Sequence, residues 1–332
     1  EAIKGVDVSG QFRFRAQDMS DTTGITPAAG TNGTDVEVEV GVKVPVTETV
    51  TAVFKIDTTR NTDDSSPQST DMLDIEDYYF SYNANGVTVN AGQQNIPGRI
   101  TDGAQGDGIV ALTTIGSVTV GAAAFANNSL STEEDVYSVL ASGNFGPVSL
   151  SAQYADVVDA AQTFNIKADA SIAMLKVGAE YTETEIDMGH PSYTTAATAD
   201  DRSTTKAYVS AKVGIVSGTV SYAKTGDNGS GTVAEELEAA AEALLWNVGT
   251  SGRDDYEAYT IDASVAVTPA ISLRAAYTSG EEGNGTNNEV TETLGQISYK
   301  VAKNLNTYVR YADVEDKGSD YTRGRVEVKY SF

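Results

Sequence analysis

The chain has no cysteine, a single histidine and a single tryptophan, and only seven prolines among its 332 residues. Without cysteine it can form neither a disulfide framework nor a thiolate site. Basic residues are also scarce: 22 lysines and arginines stand against 47 aspartates and glutamates, which gives a formal net charge of −25. Because nucleic-acid binding requires a basic surface, this balance argues against nucleic acid as a partner.

Long apolar runs are missing as well. The chain contains no stretch of 18 apolar residues, so the sequence predicts no transmembrane helix. The chain could still span a membrane as β-strands, because a spanning β-strand needs only about 9–11 residues that are apolar at alternate positions. Few prolines, 31 glycines and 17 tyrosines are typical of long strands with aromatic borders.

Alternation of apolar and polar side chains is the dominant pattern of the chain. In residues 35–44, valines alternate with acidic residues or Lys43 over most of the length, which is the two-residue period of a strand with two different faces. Comparable segments predict eighteen strands, and ambiguity over 109–127 leaves sixteen as the alternative. The predicted strands are 5–17, 35–45, 49–58, 74–83, 87–94, 109–115, 117–127, 135–144, 148–157, 162–172, 175–184, 203–213, 216–225, 256–267, 271–279, 289–301, 305–314 and 321–332.

Short turns and longer loops alternate between these strands. Turns such as 45–48 and 83–86 alternate with loops rich in Gly, Asp, Asn and Thr, such as 18–34 and 185–202. This pattern predicts an all-β fold over 1–332: one transmembrane antiparallel β-barrel with short periplasmic turns and long extracellular loops. The last strand alternates up to its final aromatics, Tyr330 and Phe332, and in this it resembles bacterial outer-membrane barrels, where such an end is the barrel-assembly signal.

The longest loop, 226–255, contains a segment with the pattern of a helix. Thr232 and Glu235 have the spacing of a capping box, and apolar residues recur at helical intervals up to Trp246. The predicted helix either packs over the rim of the barrel or dips into its mouth and narrows it.

The first 15 residues, EAIKGVDVSGQFRFR, resemble the start of the Campylobacter-type major outer membrane proteins. These are general porins of the Gram-negative outer membrane. The resemblance implies an 18-stranded, trimeric channel that conducts small ions and solutes and prefers cations. Because no basic-plus-apolar leader opens the chain, we also expect Glu1 to be a mature terminus after signal-peptide removal. The implied partners are the lipid bilayer, lipopolysaccharide and, through the C-terminal strand, the outer-membrane assembly machinery.

Arginines at alternate strand positions predict a water-filled lumen. A long charged side chain that faces hydrocarbon at mid-membrane costs about 2–4 kcal/mol. Because the first and last strands meet when a barrel closes, arginines of both ends should gather on one wall. Either this basic wall lines the pore or its members simply pair with lumen carboxylates, and the two roles are compatible. The residues of the predicted basic wall are Arg13, Arg15, Arg274, Arg310, Arg323 and Arg325.

Carboxylates outnumber cations on the other predicted lumen faces, which favours cation selectivity. The loop 95–108 occupies the place where porins fold a loop inward, and we expect Asp102 and Asp107, beside Arg99, to face the basic wall across a constriction. The alternative is that this loop covers the extracellular mouth. The predicted lumen acids are Asp7, Asp35, Glu37, Glu39, Asp57, Asp77, Glu180, Asp262 and Glu327.

Other site types find little support in the sequence. The stretch 313–320 has oxygen ligands for Ca²⁺ but lacks the full EF-hand spacing, so no cofactor is predicted and calcium is a weak candidate. The lone His190 has no obvious paired Ser or Asp, which argues against an enzyme. A substrate-specific channel for carboxylated solutes and a surface adhesin or binding barrel stay open beside a general porin. The candidate calcium ligands are Asp313, Glu315, Asp316 and Asp320.

Overall fold

The fold is an all-β barrel. The computed structural model describes residues 5–21, 33–63, 72–131, 134–187, 201–231, 243–283 and 288–332. These ranges contain eighteen strands, which confirms the larger of the two predicted counts. They are β1 (Asp7–Asp21), β2 (Gly33–Pro45), β3 (Val50–Asp63), β4 (Met72–Ala84), β5 (Val87–Asn95), β6 (Gln105–Ile115), β7 (Val118–Asn128), β8 (Val136–Phe145), β9 (Val148–Val157), β10 (Ala161–Ile172), β11 (Leu175–Ile186), β12 (Asp201–Val213), β13 (Val216–Thr225), β14 (Tyr256–Ala266), β15 (Ile271–Glu282), β16 (Glu289–Ala302), β17 (Leu305–Asp316) and β18 (Ser319–Ser331).

Each strand pairs antiparallel with its neighbours in the sequence, and β1 also pairs with β18. The sheet is therefore closed and leaves no free edge. In hydrocarbon, where no water can bind exposed backbone groups, a closed sheet satisfies every strand's hydrogen bonds internally.

The closure joins the two ends of the chain in an unbroken register. Residues of β1 and β18 pair from Gln11 opposite Ser331 to Asp21 opposite Tyr321. Beyond that ladder, Gly10 and Phe332 exchange two backbone hydrogen bonds, each 3.0 Å long. The Phe332 ring lies 6.0 Å from the ring of Phe12, centre to centre. The terminal aromatic thus seals the barrel on its outer surface.

The two faces of the barrel differ as the alternation predicts. Large apolar side chains point outward and stay exposed, for example Phe80 at 59 % and Ile261 at 57 %. Exposed apolar surface of this extent suits lipid rather than water. Tyrosines also face outward, among them Tyr222 of β13 and Tyr259 of β14, whose ring centres lie 5.1 Å apart. Such tyrosines suit the membrane interfaces.

Some connections differ from the prediction. The link between β17 and β18 is the two-residue turn Lys317–Gly318, with positive φ at both residues, because both strands continue to the rim. Of the predicted helix, residues 232–242 lie outside the described part of the chain. Its remaining residues, 243–246, are not helical but lead into a tight turn. No helix within the described ranges is long and apolar enough to cross a membrane.

The closure predicts a position-specific cost for a methyl group. A Cβ on Gly10 would overlap the carbonyl oxygen of Glu39 and lie 2.8 Å from the Phe332 ring, whereas a Cβ on Gly41 would lie 3.5 Å from Ser9 Oγ. We expect Gly10→Ala to destabilise the barrel by about 1–3 kcal/mol through overpacking. The measurement is the temperature at which the compact form on an unheated gel converts to the unfolded form. Equal conversion temperatures for Gly10→Ala and the control Gly41→Ala would contradict this role of the closure.

Candidate functional site

The connection between β5 and β6, residues 96–104, folds into the barrel, and we name it the first inward loop. The amide of Gln153, an inward-facing residue of β9, accepts hydrogen bonds from the backbone N–H groups of Arg99 (2.6 Å) and Ile100 (3.1 Å). The guanidinium of Arg99 forms a bidentate ion pair with Glu180 of β11. The loop therefore reaches across the lumen from β5 and β6 to the wall of β9 and β11.

Close approach of this loop to Gln153 requires a glycine. Gly98 has φ of 137°, and a Cβ there would overlap the Gln153 side-chain amide. An apolar cluster from the loop and the inner faces of β6–β11 lies beside the contact and fixes the loop by burial. The cluster comprises Ile96, Ala104, Val110, Ala123, Phe125, Val136, Val157, Ala160, Ala161 and Ile186.

Residues 243–255, which precede β14, form a second inward loop. The carboxylate of Glu292 on β16 is fully buried and accepts three hydrogen bonds: from the backbone N–H of Asn247 (2.9 Å), its side-chain amide (2.9 Å) and the backbone N–H of Val248 (3.0 Å). Trp246 and Val248 are buried against the inner faces of β14–β17. The loop therefore lies on the barrel wall and not above the rim.

A salt bridge holds the outer end of the second inward loop. Arg253 forms a bidentate pair with Asp316 at 2.8 and 3.0 Å and a further bond with Glu282 at 3.1 Å. Burial acts to lower the pKa of Arg253, but its bonds to Asp316, the Tyr256 hydroxyl nearby and Glu282 together raise it above the ordinary value. The guanidinium therefore stays charged.

The six arginines predicted to form a basic wall lie on the inner face of β1, β15, β17 and β18. Three of them are ion-paired with lumen acids. Arg13 pairs with Glu37, Arg15 with Glu327 at 2.6 Å, and Arg274 with Asp262 at 2.6 Å. For these three arginines, the geometry is that of the second alternative, pairing with lumen carboxylates. Part of their guanidinium N–H donors is therefore occupied.

The other three arginines surround one tryptophan, and we name this group the arginine–tryptophan cluster. The guanidinium carbons of Arg310, Arg323 and Arg325 lie 4.9, 4.6 and 4.9 Å from the ring centre of Trp246. Such distances are those of cation–π contacts. Neighbouring strands supply the arginines, since Arg310 stands opposite Arg325 in the register of β17 and β18.

Side-chain amides orient the arginines of this cluster. The Gln17 oxygen accepts from Arg323 at 3.0 Å and from Arg325 at 2.6 and 2.9 Å. Arg310 donates its Nε–H to Gln296 at 2.7 Å. Trp246 is not among the predicted lumen residues, although one of the two alternatives for its segment placed that segment in the barrel mouth. Its position as the chain's only tryptophan, in the longest loop, was the available signal.

An acidic wall lies beside β1 on the inner face of β2–β4, where five of the predicted lumen acids gather. Lys55 pairs there with Glu39 at 3.2 Å and with Glu76. Glu76 was not predicted, because strict alternation places it outward. A β-bulge opposite Lys55 and Ile56 breaks the period and turns Glu76 inward beside Asp77. The acidic wall comprises Asp35, Glu37, Glu39, Asp57, Glu76 and Asp77.

Asp7 and the acids of the constriction prediction lie apart from these walls. Asp7 is exposed at the start of β1. Asp102 is exposed in the first inward loop, where Arg99 and not an aspartate makes the contact across the lumen. The prediction for Asp107 is wrong. Strand β6 begins at Gln105, before the predicted 109, and pairing places Asp107 on the outward side with Ile109.

The candidate calcium ligands do not converge. Asp313 and Glu315 share the outward face of β17 with Tyr311, whereas Asp316 is bound to Arg253 inside. Asp320 lies in the adjoining strand, β18. Within the described ranges, no group of three or more His, Asp or Glu residues is arranged to hold a metal ion.

The hydrogen bonds between Gln153 and the first inward loop predict the effect of a methyl group at Gly98. Gly98→Ala displaces the Gln153 amide and leaves the N–H groups of Arg99 and Ile100 without their acceptor. We expect a larger and noisier single-channel conductance in planar bilayers, because the loop no longer crosses the lumen firmly. The control is Gly295→Ala, where a Cβ meets nothing within 4 Å. A Gly98→Ala channel as quiet and as narrow as this control would contradict the assignment.

Removal of the Glu292 carboxylate should release the second inward loop. Glu292→Ala leaves buried N–H donors of Asn247 and Val248 unpaired, at about 1–3 kcal/mol each. We expect higher single-channel conductance, with Glu292→Gln intermediate because one carbonyl oxygen remains. The matched control is Glu289→Ala, at an exposed position of the same strand. If Glu292→Ala and Glu289→Ala had the same conductance, the loop would be held by something else.

Comparisons with known proteins agree with this architecture. A model of the family described as Gram-negative porin matches residues 1–319. No curated protein matches the chain at a significant level. The fold is similar to a BenF-like porin from Pseudomonas fluorescens Pf-5, with 14 % identity, a TM-score of 0.78 and full coverage of both chains.

Two ligand complexes from Pseudomonas aeruginosa are also similar. OccK2 (OpdF) in complex with glucuronate has 12 % identity and a TM-score of 0.76, over 99 % of this chain and 98 % of that one. OpdK with vanillate has 12 % identity and a TM-score of 0.75, over 98 % of each chain. At these identities the likeness shows the fold alone.

The comparisons support the porin family as a whole and not the Campylobacter-type major outer membrane proteins in particular. The family model matches seventeen of the eighteen strands, from β1 to β17. The chain therefore belongs to the Gram-negative porins and forms a channel in the outer membrane.

Proposed function

We propose that this porin is a substrate-selective channel for small hydrophilic solutes that carry a carboxylate. The observation that carries the proposal is the group of six inward arginines on β1, β15, β17 and β18, at and beside the junction where the first strand meets the last. A guanidinium binds a carboxylate through two parallel N–H bonds, so a row of them offers successive sites along the wall. A solute anion can pass from one arginine to the next without a deep trap.

The position of the two inward loops supports selectivity over free diffusion. The first inward loop lies against β9 and β11, and the second lies against β16–β18 beside the basic wall. Arg323 donates to the Asn247 side-chain oxygen at 2.9 Å, so the second loop is attached to the arginines themselves. A solute in the lumen therefore passes close to the charged wall.

The solved relatives provide a chemical parallel. OccK2 (OpdF) is described in complex with glucuronate and OpdK with vanillate. Both molecules carry a carboxylate. Their likeness to this chain is one of fold, so the parallel supports the solute class and does not identify a solute.

The second candidate is the general, cation-preferring porin that the acidic composition favours. Its specific observation is the acidic wall, where six carboxylates face the lumen and Lys55 pairs with two of them. Cation preference would then weaken as salt screens these charges. Trimer assembly, contact with lipopolysaccharide, use of the assembly machinery and a calcium requirement stay predictions from the sequence.

Uptake of glucuronate and glucose by proteoliposomes tests the proposal, because the two solutes are similar in size and differ in a carboxylate. We expect the wild-type channel to admit glucuronate faster than glucose. The double variant Arg323→Gln/Arg325→Gln should lower the glucuronate rate about tenfold and leave the glucose rate within about twofold, since each lost charged contact contributes about 1.5–3 kcal/mol at most in a wet lumen.

The matched control is Arg274→Gln, whose guanidinium is already paired with Asp262. It should reduce glucuronate uptake less than the double variant. Faster uptake of glucose than glucuronate by the wild-type channel would contradict the proposal and favour the general porin.

A further inference from the structure

The arginines of the lumen fall into two chemical groups. Arg13, Arg15 and Arg274 bond to carboxylates, which occupy guanidinium N–H donors. The arginines of the arginine–tryptophan cluster contact the ring of Trp246, and Arg323 and Arg325 also donate to the side chains of Gln17 and Asn247. A ring attracts a cation through its face, so the ring contact itself occupies no N–H donor of the guanidinium. The two arrangements therefore differ in what they leave for a solute.

Arg310 is the clearest case. Its guanidinium carbon lies 4.9 Å from the Trp246 ring centre and 4.9 Å from the Tyr308 ring centre. Its Nε–H is directed by Gln296. Among the residues that the structure describes, no carboxylate lies within ion-pairing distance of it. Its position is thus fixed by two aromatic rings and one neutral amide, and no ion pair with a described carboxylate occupies its guanidinium.

Trp246 is itself held with little freedom. It is 6 % exposed, and the next two residues, Asn247 and Val248, are bound to Glu292. Its indole N–H has no hydrogen-bond partner in the described part of the chain. A buried N–H donor without an acceptor costs free energy. A solute anion that binds near the indole N–H would offset that cost.

We infer that Trp246 is a specificity-determining residue of the lumen. It acts as a positioning residue: its ring holds Arg310 with the guanidinium edge open to the carboxylate of a passing solute. The inference rests on the proposed carboxylate channel and adds to it the place where the carboxylate binds. The second inward loop then serves selectivity, since it carries the ring, and is not merely an obstacle in the lumen.

Carboxylates fit this place better than other solute groups. A guanidinium edge offers two parallel donors that match the two oxygens of a carboxylate. The neighbouring arginines of the cluster add positive potential and disfavour cations at the same point. A neutral sugar has no charge to satisfy Arg310.

Substitution of Trp246 separates positioning from support of the loop. The readout is the ratio of glucuronate to glucose uptake, measured beside single-channel conductance in KCl. We expect Trp246→Leu to lower the ratio about three- to tenfold, because the π system is lost, and Trp246→Phe to lower it less. Conductance in KCl reports separately on the position of the loop, which Glu292 holds through Asn247 and Val248.

A purely supporting role gives a different result. If Trp246 only fills space, Trp246→Leu raises glucose and glucuronate uptake in parallel and leaves their ratio unchanged. That outcome would overturn the inference. Arg310→Gln provides the positive comparison, because it should lower the ratio at least as much as Trp246→Leu while the ring stays in place.

The chain's only tryptophan also allows a binding test that does not depend on transport. Addition of sodium glucuronate to the protein at constant ionic strength should change the fluorescence emission of Trp246 in a saturable manner, and glucose is the comparison solute. Arg310→Gln should abolish the response. The control Trp246→Phe/Tyr259→Trp moves the fluorophore to the outward face, where residue 259 is 57 % exposed, and should not respond.

The two tests can fail separately. Wild-type emission that responds to neither glucuronate nor acetate would overturn the inferred site, whatever the uptake rates are. A saturable response without preferential uptake would support the site and overturn the proposed function instead.

Discussion

Satisfaction of backbone hydrogen bonds in a medium without water is the constraint on which the rest of this structure depends. A sheet in hydrocarbon cannot leave an edge unpaired, so β1 must meet β18. The paired bonds of Gly10 and Phe332 complete that junction, and the side chain missing from Gly10 leaves room for the terminal ring. The same junction places arginines from both ends of the chain on one wall. The charge pattern of the lumen is therefore a consequence of closure.

Within the barrel, buried polar side chains hold both inward loops. Gln153 binds the first and Glu292 the second, each by accepting backbone N–H groups that would otherwise be buried without partners. Two such acceptors convert flexible connections into fixed parts of the lumen wall. The lumen is divided as a result: carboxylates face inward on β2–β4, and arginines face inward on β1, β15, β17 and β18, where the second inward loop adds Trp246. A solute experiences a field across the passage rather than a uniform charge.

The sequence contained most of the fold and part of the site. Strand count and the outward or inward direction of side chains follow from the two-residue period, because each strand must present apolar groups to lipid. The presence of Arg15 and Arg325 on one wall of the lumen follows from the closure of the barrel between β1 and β18. Glu76 escaped prediction because a bulge shifts the period by one residue. The position of Trp246 depends on the hydrogen bonds between Glu292 and Asn247, the residue that follows Trp246. Asn247 and Glu292 are 45 residues apart, and no local sequence pattern predicts a contact over that separation.

The charge of the permeating ion is the central claim, and a reversal potential measures it directly. The purified protein would be inserted into a planar bilayer that separates two solutions of potassium glucuronate at unequal concentrations. We predict a reversal potential whose sign is that of a glucuronate-permeable channel. It should shift toward potassium selectivity when Arg310, Arg323 and Arg325 are all replaced by glutamine. A wild-type reversal potential at the potassium limit, unchanged by these substitutions, would contradict this prediction.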